Sequence, residues 1–576
     1  MKLPYLNGIE RSREITGIFG GYNHNLRIGD GEFYDMKNLS SDSYPILSTR
    51  GKRGVFAVPA LPQGLIAKDE LCYIDGGDFI IGERRIPMGL TAEGAMKKLI
   101  SMGAYVIIMP DKKYINTADP TDYGNIEAAV TTSSTVTFSI CKADGAEYGD
   151  ITVQATAPTD PDNMDLWIDT STVPHALKQY SAASGTWASI AATCVRIAAT
   201  GIGLPFSAGD GVTISGVETF ADLNASTVIS ARGDNYIVVS GIIDEVITQE
   251  TTITVERRMP NMDFIMESGN RLWGCRYGTA VNGETVNEIY ASKLGDFRNW
   301  NCFAGISTDS YAVSVGTDGP FTGAIGYLGQ PIFFKENGLH KIYGKYPAQY
   351  SVQDTACRGV QNGCANSLAI VNEVLYYKSR SGVCAYDGSL PVEISAAFGD
   401  VRYENAVAGA LGNKYYISMA DDSSYHLFVY DTAKGLWHRE DDTQASAFCN
   451  HRGELYYIDY ADNQIKTVRG TGVLDAAPIQ WQATTGIIGT DSPDKKYISR
   501  MDVRMSLATG TRVSFFVEYD SSGEWEHIFA MDGVNLCSFS APIRPRRCDH
   551  LRLKIIGSGD AKIFSICKTI EHGSNV

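Results

Sequence analysis

The chain lacks the short motifs that announce several common enzyme classes. There is no GxxxxGK[ST] loop to hold phosphates, no HExxH pair for zinc and no GxSxG elbow for a nucleophilic serine. The glycines of IPMGLTAEGAM stand too far apart to cradle a phosphate. No apolar run approaches the roughly 20 residues needed to span a bilayer. The opening MKLPYLNGIERSREI lacks the continuous apolar core of a secretory signal, so a soluble product of the cytoplasm is expected. Although there are twelve cysteines, no pair has the CxxC spacing that lets two thiolates share a metal. Surroundings such as ELCYID and SGVCAYD read as apolar strands, which predicts buried free thiols from a reducing compartment. Positive charge is also short: the net formal charge is −16. With no long run of one sign, the chain as a whole is not expected to grip duplex DNA or an anionic membrane.

What is abundant is glycine, at 58, and tyrosine, at 31, within 576 residues. That combination favours short strands joined by tight turns, and the length favours several domains. PIFFKENGLHKIYG (331–344), EVLYYKSRSGVCAYDG (373–388), KYYISMADDSSYHLFVYDTAKGLWHRE (414–440) and ELYYIDYADNQIKTV (454–468) each read as a hairpin. They recur about every 40 residues, the period of a four-stranded propeller blade. ELCYIDGGDFIIGERRI, AYVIIMPDKKYINT and the run 270–300 continue the theme, giving seven candidate units. Residues 121–258 turn rich in Thr, Ser, Ala and Val and read as an inserted β-sandwich. The last hundred residues form long alternating strands, read as a second, jelly-roll-like sandwich. The expected fold is therefore all-β: a propeller of six to eight blades in residues 1–120 and 259–472, an insertion at 121–258 and a C-terminal sandwich at 473–576. One helix is expected, TAEGAMKKLISMG (91–103), with Thr91 as cap, Glu93 early and Gly103 as stop.

Several clusters invite a chemical reading. In FVYDTAKGLWHRED (428–441), Asp431, Thr432, His438 and Glu440 crowd together; the alternative is a blade hairpin with Tyr430 and Trp437 as packing anchors and Gly435 as the turn. This stretch resembles the kelch-type signature. YDSSGEWEH (519–527) and ASKLGDFRNW (291–300) resemble the aspartate-box hairpins of sialidase propellers, which are structural. A sialidase also needs three arginines on one carboxylate, and nothing in the sequence ties three together. The pairs Asp421–Asp422 and Asp441–Asp442 read as solvated hairpin tips. Arg232-Gly233-Asp234 reads as a chance loop. Arg544, Arg546, Arg547, Arg552 and Lys554 form a basic cluster, read as a solvated sandwich edge or a contact with an acidic subunit. Only Trp167 and Trp187 offer an aromatic platform in 121–258.

The most specific pattern is FGGYNHNLRIGDGEFYDMKNLSSDSYPILSTRGKRGV (19–55), followed in order by YASKLGDFRNW, GQPIFFKENGLHKIYG and YSVQDTACRGVQNGCANSLAIVNEVLYYKSRSGVCAYDG. Over 19–118 and 262–470 this resembles tail nozzle, tail tubular B and packaged-DNA stabilisation proteins of tailed bacteriophages. The resemblance implies a propeller subunit of the virion, assembled in the host cytoplasm as a homohexameric ring that continues and closes the DNA channel. Its implied partners are tail adaptor and portal-proximal proteins, tail fibres or tailspikes, and double-stranded DNA that passes without specific binding. It implies no catalytic, cofactor-binding or metal-binding residue and no membrane anchor, so a non-enzymatic structural protein is expected. The alternatives are a host-receptor-binding tail protein and a propeller glycosidase.

Overall fold

The computed structural model describes residues 11–92, 96–280, 283–490, 495–533 and 535–572. Among them the regular structure is strand, apart from four single-turn 3₁₀ segments. The fold is all-β: propeller blades interrupted by an inserted sandwich and followed by a second sandwich. Two compact units are present. One comprises Met1–Lys97, Phe334–Leu339 and Thr355–Val576; the other comprises Lys98–Phe333 and His340–Asp354.

The first unit holds blade sheets at 62–87, 369–393 and 404–439, each a meander of four antiparallel strands. In the sheet at 404–439, Lys414–Ala420 lies against Tyr425–Asp431, with Tyr415 opposite Tyr430 and Ile417 opposite Phe428. Both strands are buried on both faces, which is why they read as nearly continuous apolar runs. A further sheet at 445–474 takes in a strand from far earlier in the chain, Gly54–Ala57, with Val55 opposite Lys466.

The second sandwich also lies in this unit. One of its sheets orders Leu39–Ser40, Leu47–Thr49, Ala561–His572, Lys496–Leu507 and Cys537–Ala541, with Arg11–Thr16 also paired to Ala561–His572. The other orders Gly21–Tyr22, Glu32–Lys37, Gln480–Thr485, Leu551–Ser558, Arg512–Tyr519 and Glu526–Asp532. This corrects the expectation that the chain enters the propeller from its start: the five strands within residues 11–49 complete the C-terminal sandwich. The long strands after residue 480 would otherwise leave rows of unpaired backbone groups, and the N-terminal strands supply the partners.

The second unit holds blade sheets at 98–125 and 264–314, and the sheet at 321–356 contributes residues to both units. Tyr123–Asn125, counted with the insertion in the sequence reading, is the fourth strand of the 98–125 sheet. The expected helix is also corrected. Lys98–Met102 is a strand paired with Tyr105–Met109, Gly103 sits in the hairpin turn, and residues 93–95 lie outside the described residues. Burial alternates along it, with Ile100 and Met102 inward, so its apolar partner strand overrides helix propensity. The inserted sandwich runs from Ala128–Thr131 to Thr254–Arg257 around a core that includes Phe138, Val195, Ile197, Ile214, Ile237 and Val255. Ile151–Gln154, Leu166–Asp169, Ala176–Ser181 and Thr186–Ser189 form a small separate sheet within it.

Candidate functional site

In the first unit, hairpin turns and inter-blade loops converge on a polar cleft of about 740 Å³. The turns bring Glu336, Arg380 and the pair Asp421–Asp422; the loops bring Arg358, Arg402 and Tyr403, and the strand that follows opens with Glu404. Turn chemistry fixes the acidic wall. The Asp421 carboxylate accepts the backbone N–H of Ser423 and Ser424 at 2.8 and 2.9 Å and lies 2.7 Å from Nε2 of His426. Burial would raise the Asp421 pKa, but these bonds outweigh it and hold the group well below the usual carboxylate range. Asp422 and Glu404 are exposed.

The basic wall is anchored with equal economy. Arg402 Nη1 donates to the Ser381 carbonyl at 3.0 Å. Arg358 pairs with Glu393, while its carbonyl accepts the Tyr377 hydroxyl at 2.6 Å. Arg380 stands exposed on the turn that also carries Ser379, whose N–H reaches the Gly382 carbonyl at 2.7 Å. A guanidinium has five N–H donors in a planar fork, so the single bond made by Arg358 or by Arg402 occupies only a small part of that fork. Tyr403 is buried among Phe398, Phe428 and His426. Burial pushes its phenol up to about 12, with a hydrogen bond to Tyr22 acting in the opposite direction, so it is a neutral hydroxyl. The arrangement can grip a carboxylate in arginine forks and hydroxyls on carboxylates.

Sequence reading did not bring these arginines together. The available signal was that Arg358 and Arg402 occupy equivalent loops one blade apart, with Arg380 on the turn between them. Conversely, the cluster at 428–441 separates on folding. Asp431 takes bonds from Ser41 and from Lys434, the latter at 3.0 Å; Thr432 donates to the Asn413 carbonyl at 2.9 Å; and Glu440 binds Arg53 at 2.9 Å. His438 is buried, which lowers its pKa to about 3 and keeps it neutral. Tyr430 and Trp437 pack at 4.9 Å, and Gly435 has φ +68°, as a blade hairpin requires.

The Asp441–Asp442 pair is not a solvated tip, which corrects that reading. Asp441 lies between Arg50 and Arg53, and Asp442 meets Lys37 and Arg439. YDSSGEWEH falls in the C-terminal sandwich. In ASKLGDFRNW, Asp296 accepts from Asn299, which also bonds Asp210 at 2.9 Å. Arg232 and Asp234 face each other at 3.4 Å near a hairpin turn. In the basic cluster Arg544 and Arg547 are exposed, Arg546 pairs with Glu526 at 2.5 Å, Arg552 lies over Tyr34 and Lys554 over Trp525. Trp167 and Trp187 pack together at 5.4 Å with Lys178 over Trp167. None of the twelve cysteines forms a disulfide, and nine are buried. Among the described residues no cluster of three His, Cys, Asp or Glu is placed to hold a metal, and no helix is long and apolar enough to cross a membrane.

No family model matches the chain, and no curated protein matches it. Among solved structures it overlaps the exo-β-1,3-galactanase of Phanerochaete chrysosporium, at 9% identity over 53% of this chain and 94% of that one, with a TM-score of 0.21. It also overlaps the endosialidase of phage phi92, at 10% identity over 75% and 68% of the respective chains, TM-score 0.24. A third overlap is the extracellular domain of a putative one-component system from B. thetaiotaomicron, at 10% identity over 92% and 98%, TM-score 0.23. Likeness at this level assigns neither substrate nor reaction. The expectation of a non-enzyme gains no support from them, since glycoside hydrolases and an endosialidase stand among the overlapping structures.

Proposed function

We propose that the chain is a bacteriophage tail protein that recognises an acidic glycan of the host surface in the cleft of Arg358, Arg380, Arg402, Glu404 and Asp421. The observation that carries the recognition step is the convergence of three arginines and four carboxylates in one cleft of about 740 Å³. Arginine forks suit the carboxylate of an acidic sugar, and side-chain carboxylates suit its hydroxyls. The tail assignment rests on the resemblance at 19–118 and 262–470. The test is binding of the full chain to an array of acidic and neutral glycans, beside Arg380→Ala and Arg402→Ala. Acidic glycans are expected to bind and both variants to lose at least about tenfold in affinity, roughly 1.4 kcal/mol. Equal binding of neutral glycans, or unaltered binding by both variants, overturns the reading.

A second reading, a ring-forming nozzle that extends and closes the DNA channel, is favoured by the resemblance of the N-terminal stretch 19–55. An acidic chain lining such a conduit would repel phosphates and avoid trapping the genome. Electron microscopy of the purified protein and of the intact particle tests it: a ring on the tail axis is expected, whereas density confined to fibre tips refutes it.

A further inference from the structure

We propose that Thr317, His340 and Asp354 form a nucleophile, base and orienting carboxylate that hydrolyse carboxylic esters at a site independent of the arginine cleft. All three belong to the second unit. Thr317 follows the strand Tyr311–Ser314, His340 lies on Gly338–Tyr343 and Asp354 on the neighbouring strand Ser351–Ala356. Thr317 Oγ1 is 2.9 Å from His340 Nε2, and His340 Nδ1 meets Asp354 Oδ1. A nucleophile within hydrogen-bond reach of a base that a third group orients is the geometry by which such relays are recognised across unrelated folds.

The roles follow from the bonds. With Asp354 accepting the proton of Nδ1, Nε2 is left as the acceptor for the Thr317 hydroxyl. The imidazole is buried at 2% exposure, with the Phe321 ring edge-on at 5.9 Å, so its orientation is fixed by packing. Asn287 Nδ2 donates to the carbonyls of Val315 and Thr317 at 2.9 and 2.6 Å, holding the segment that carries the hydroxyl. Thr317 is only half-buried and the Asp354 side chain is 48% exposed, so the relay opens toward solvent.

In the acylation step the Thr317 O–H bond breaks as Oγ1 bonds to the ester carbonyl carbon, and the proton passes to His340 Nε2. Collapse of the tetrahedral adduct breaks the ester C–O bond, and Nε2 returns the proton to the departing alcohol. Water then attacks the acyl-threonine with His340 again as base, which releases the carboxylic acid and restores the hydroxyl.

The experiment treats the full chain with a fluorophosphonate probe, maps the adduct by peptide mass spectrometry and follows hydrolysis of 4-nitrophenyl acetate. A single adduct on Thr317 is expected, with protection by the ester. It should persist in Thr317→Ser and disappear in Thr317→Val. Hydrolysis should fall by about 100-fold or more in His340→Gln, the scale of lost general-base catalysis. Labelling of the unmodified chain decides the matter even where a variant fails to fold. No adduct on Thr317, or hydrolysis that survives Thr317→Val, overturns the proposal and leaves the triplet a packing device. Glycan binding by the arginine cleft is scored separately, so either reading can fail without the other.

Discussion

Replacing Asp441 by Asn tests how the end of FVYDTAKGLWHRED is tied to the N-terminal segment. Asp441 Oδ2 lies 2.7 Å from Arg53 Nη1 and 3.4 Å from Arg50 Nη2, while Glu440 Oε2 lies 2.9 Å from Arg53 Nη2. The four side chains are between 6% and 16% exposed, so two positive and two negative charges balance out of water. Arg53 also donates to the Thr443 hydroxyl at 2.6 Å and lies over the Tyr457 ring. Asparagine keeps the shape and removes one charge, which leaves the arginine pair facing a single carboxylate. Removing one partner of a buried pair costs roughly 3–5 kcal/mol, and the low end, about 3, applies because Glu440 still holds Arg53.

At 1.36 kcal/mol per decade that is about a 100-fold rise in local opening. Hydrogen exchange of the full chain reads it directly: amides of Tyr425–Asp431 and Gly54–Ala57 should lose about two decades of protection. Amides of Tyr105–Met109, in the other unit, should not change. The sign with pH follows from the same contacts. Burial acts to raise the Asp441 pKa, yet Arg53 and then Arg50 hold it below the ordinary aspartate value in the folded chain. Its stabilisation is therefore complete above the unfolded aspartate range and is lost as pH falls through the depressed folded value. A change of less than about threefold at Tyr425–Asp431, near 0.6 kcal/mol, would refute the reasoning.

Gly21 has φ +83°, and a Cβ there would stand 2.2 Å from the Trp437 carbonyl. Gly21→Ala should therefore destabilise by more than the roughly 1 kcal/mol of a strained backbone alone, read as earlier urea unfolding followed by tryptophan fluorescence. His438 is held neutral down to about pH 3 in the folded chain, chiefly by burial. The unfolded chain binds a proton there from about pH 6.5, so folding stability should fall as pH drops from that value toward 3. His438→Gln should flatten that part of the acid-unfolding profile; an unchanged slope contradicts it. The facing thiols Cys141 and Cys194 are opposite one another on antiparallel strands and buried, and burial pushes the Cys141 thiol up to about 12. Both should resist iodoacetamide in the folded chain and react only after denaturant is added; fast alkylation without denaturant contradicts the burial.

The strand hairpins were legible because each blade writes its own pattern locally: a tyrosine-rich apolar run, a polar turn and a second run, as at 414–440. What local pattern could not carry was pairing across hundreds of residues. Arg11–Thr16 alternates as any half-buried strand does, and only the open edge of Ala561–His572 decides where it goes. The same limit explains the error at Lys98–Met102, where capping signals and lysines described a plausible helix until Tyr105–Met109 was placed opposite. It also explains the two candidate sites. Asp431, Thr432 and His438 are neighbours in sequence and therefore looked chemical, yet a strand sends adjacent side chains to opposite faces and each finds a different partner. Thr317, His340 and Asp354 are 14 to 37 positions apart and looked like nothing, yet neighbouring strands and the preceding loop bring them into one hydrogen-bonded line. In a propeller, polar side chains from distant positions therefore meet between turns and loops of successive strands, at separations set by strand length and blade repeat. Polar residues are best compared at equivalent positions of adjacent hairpins, as Arg358 and Arg402 are, rather than within a single run.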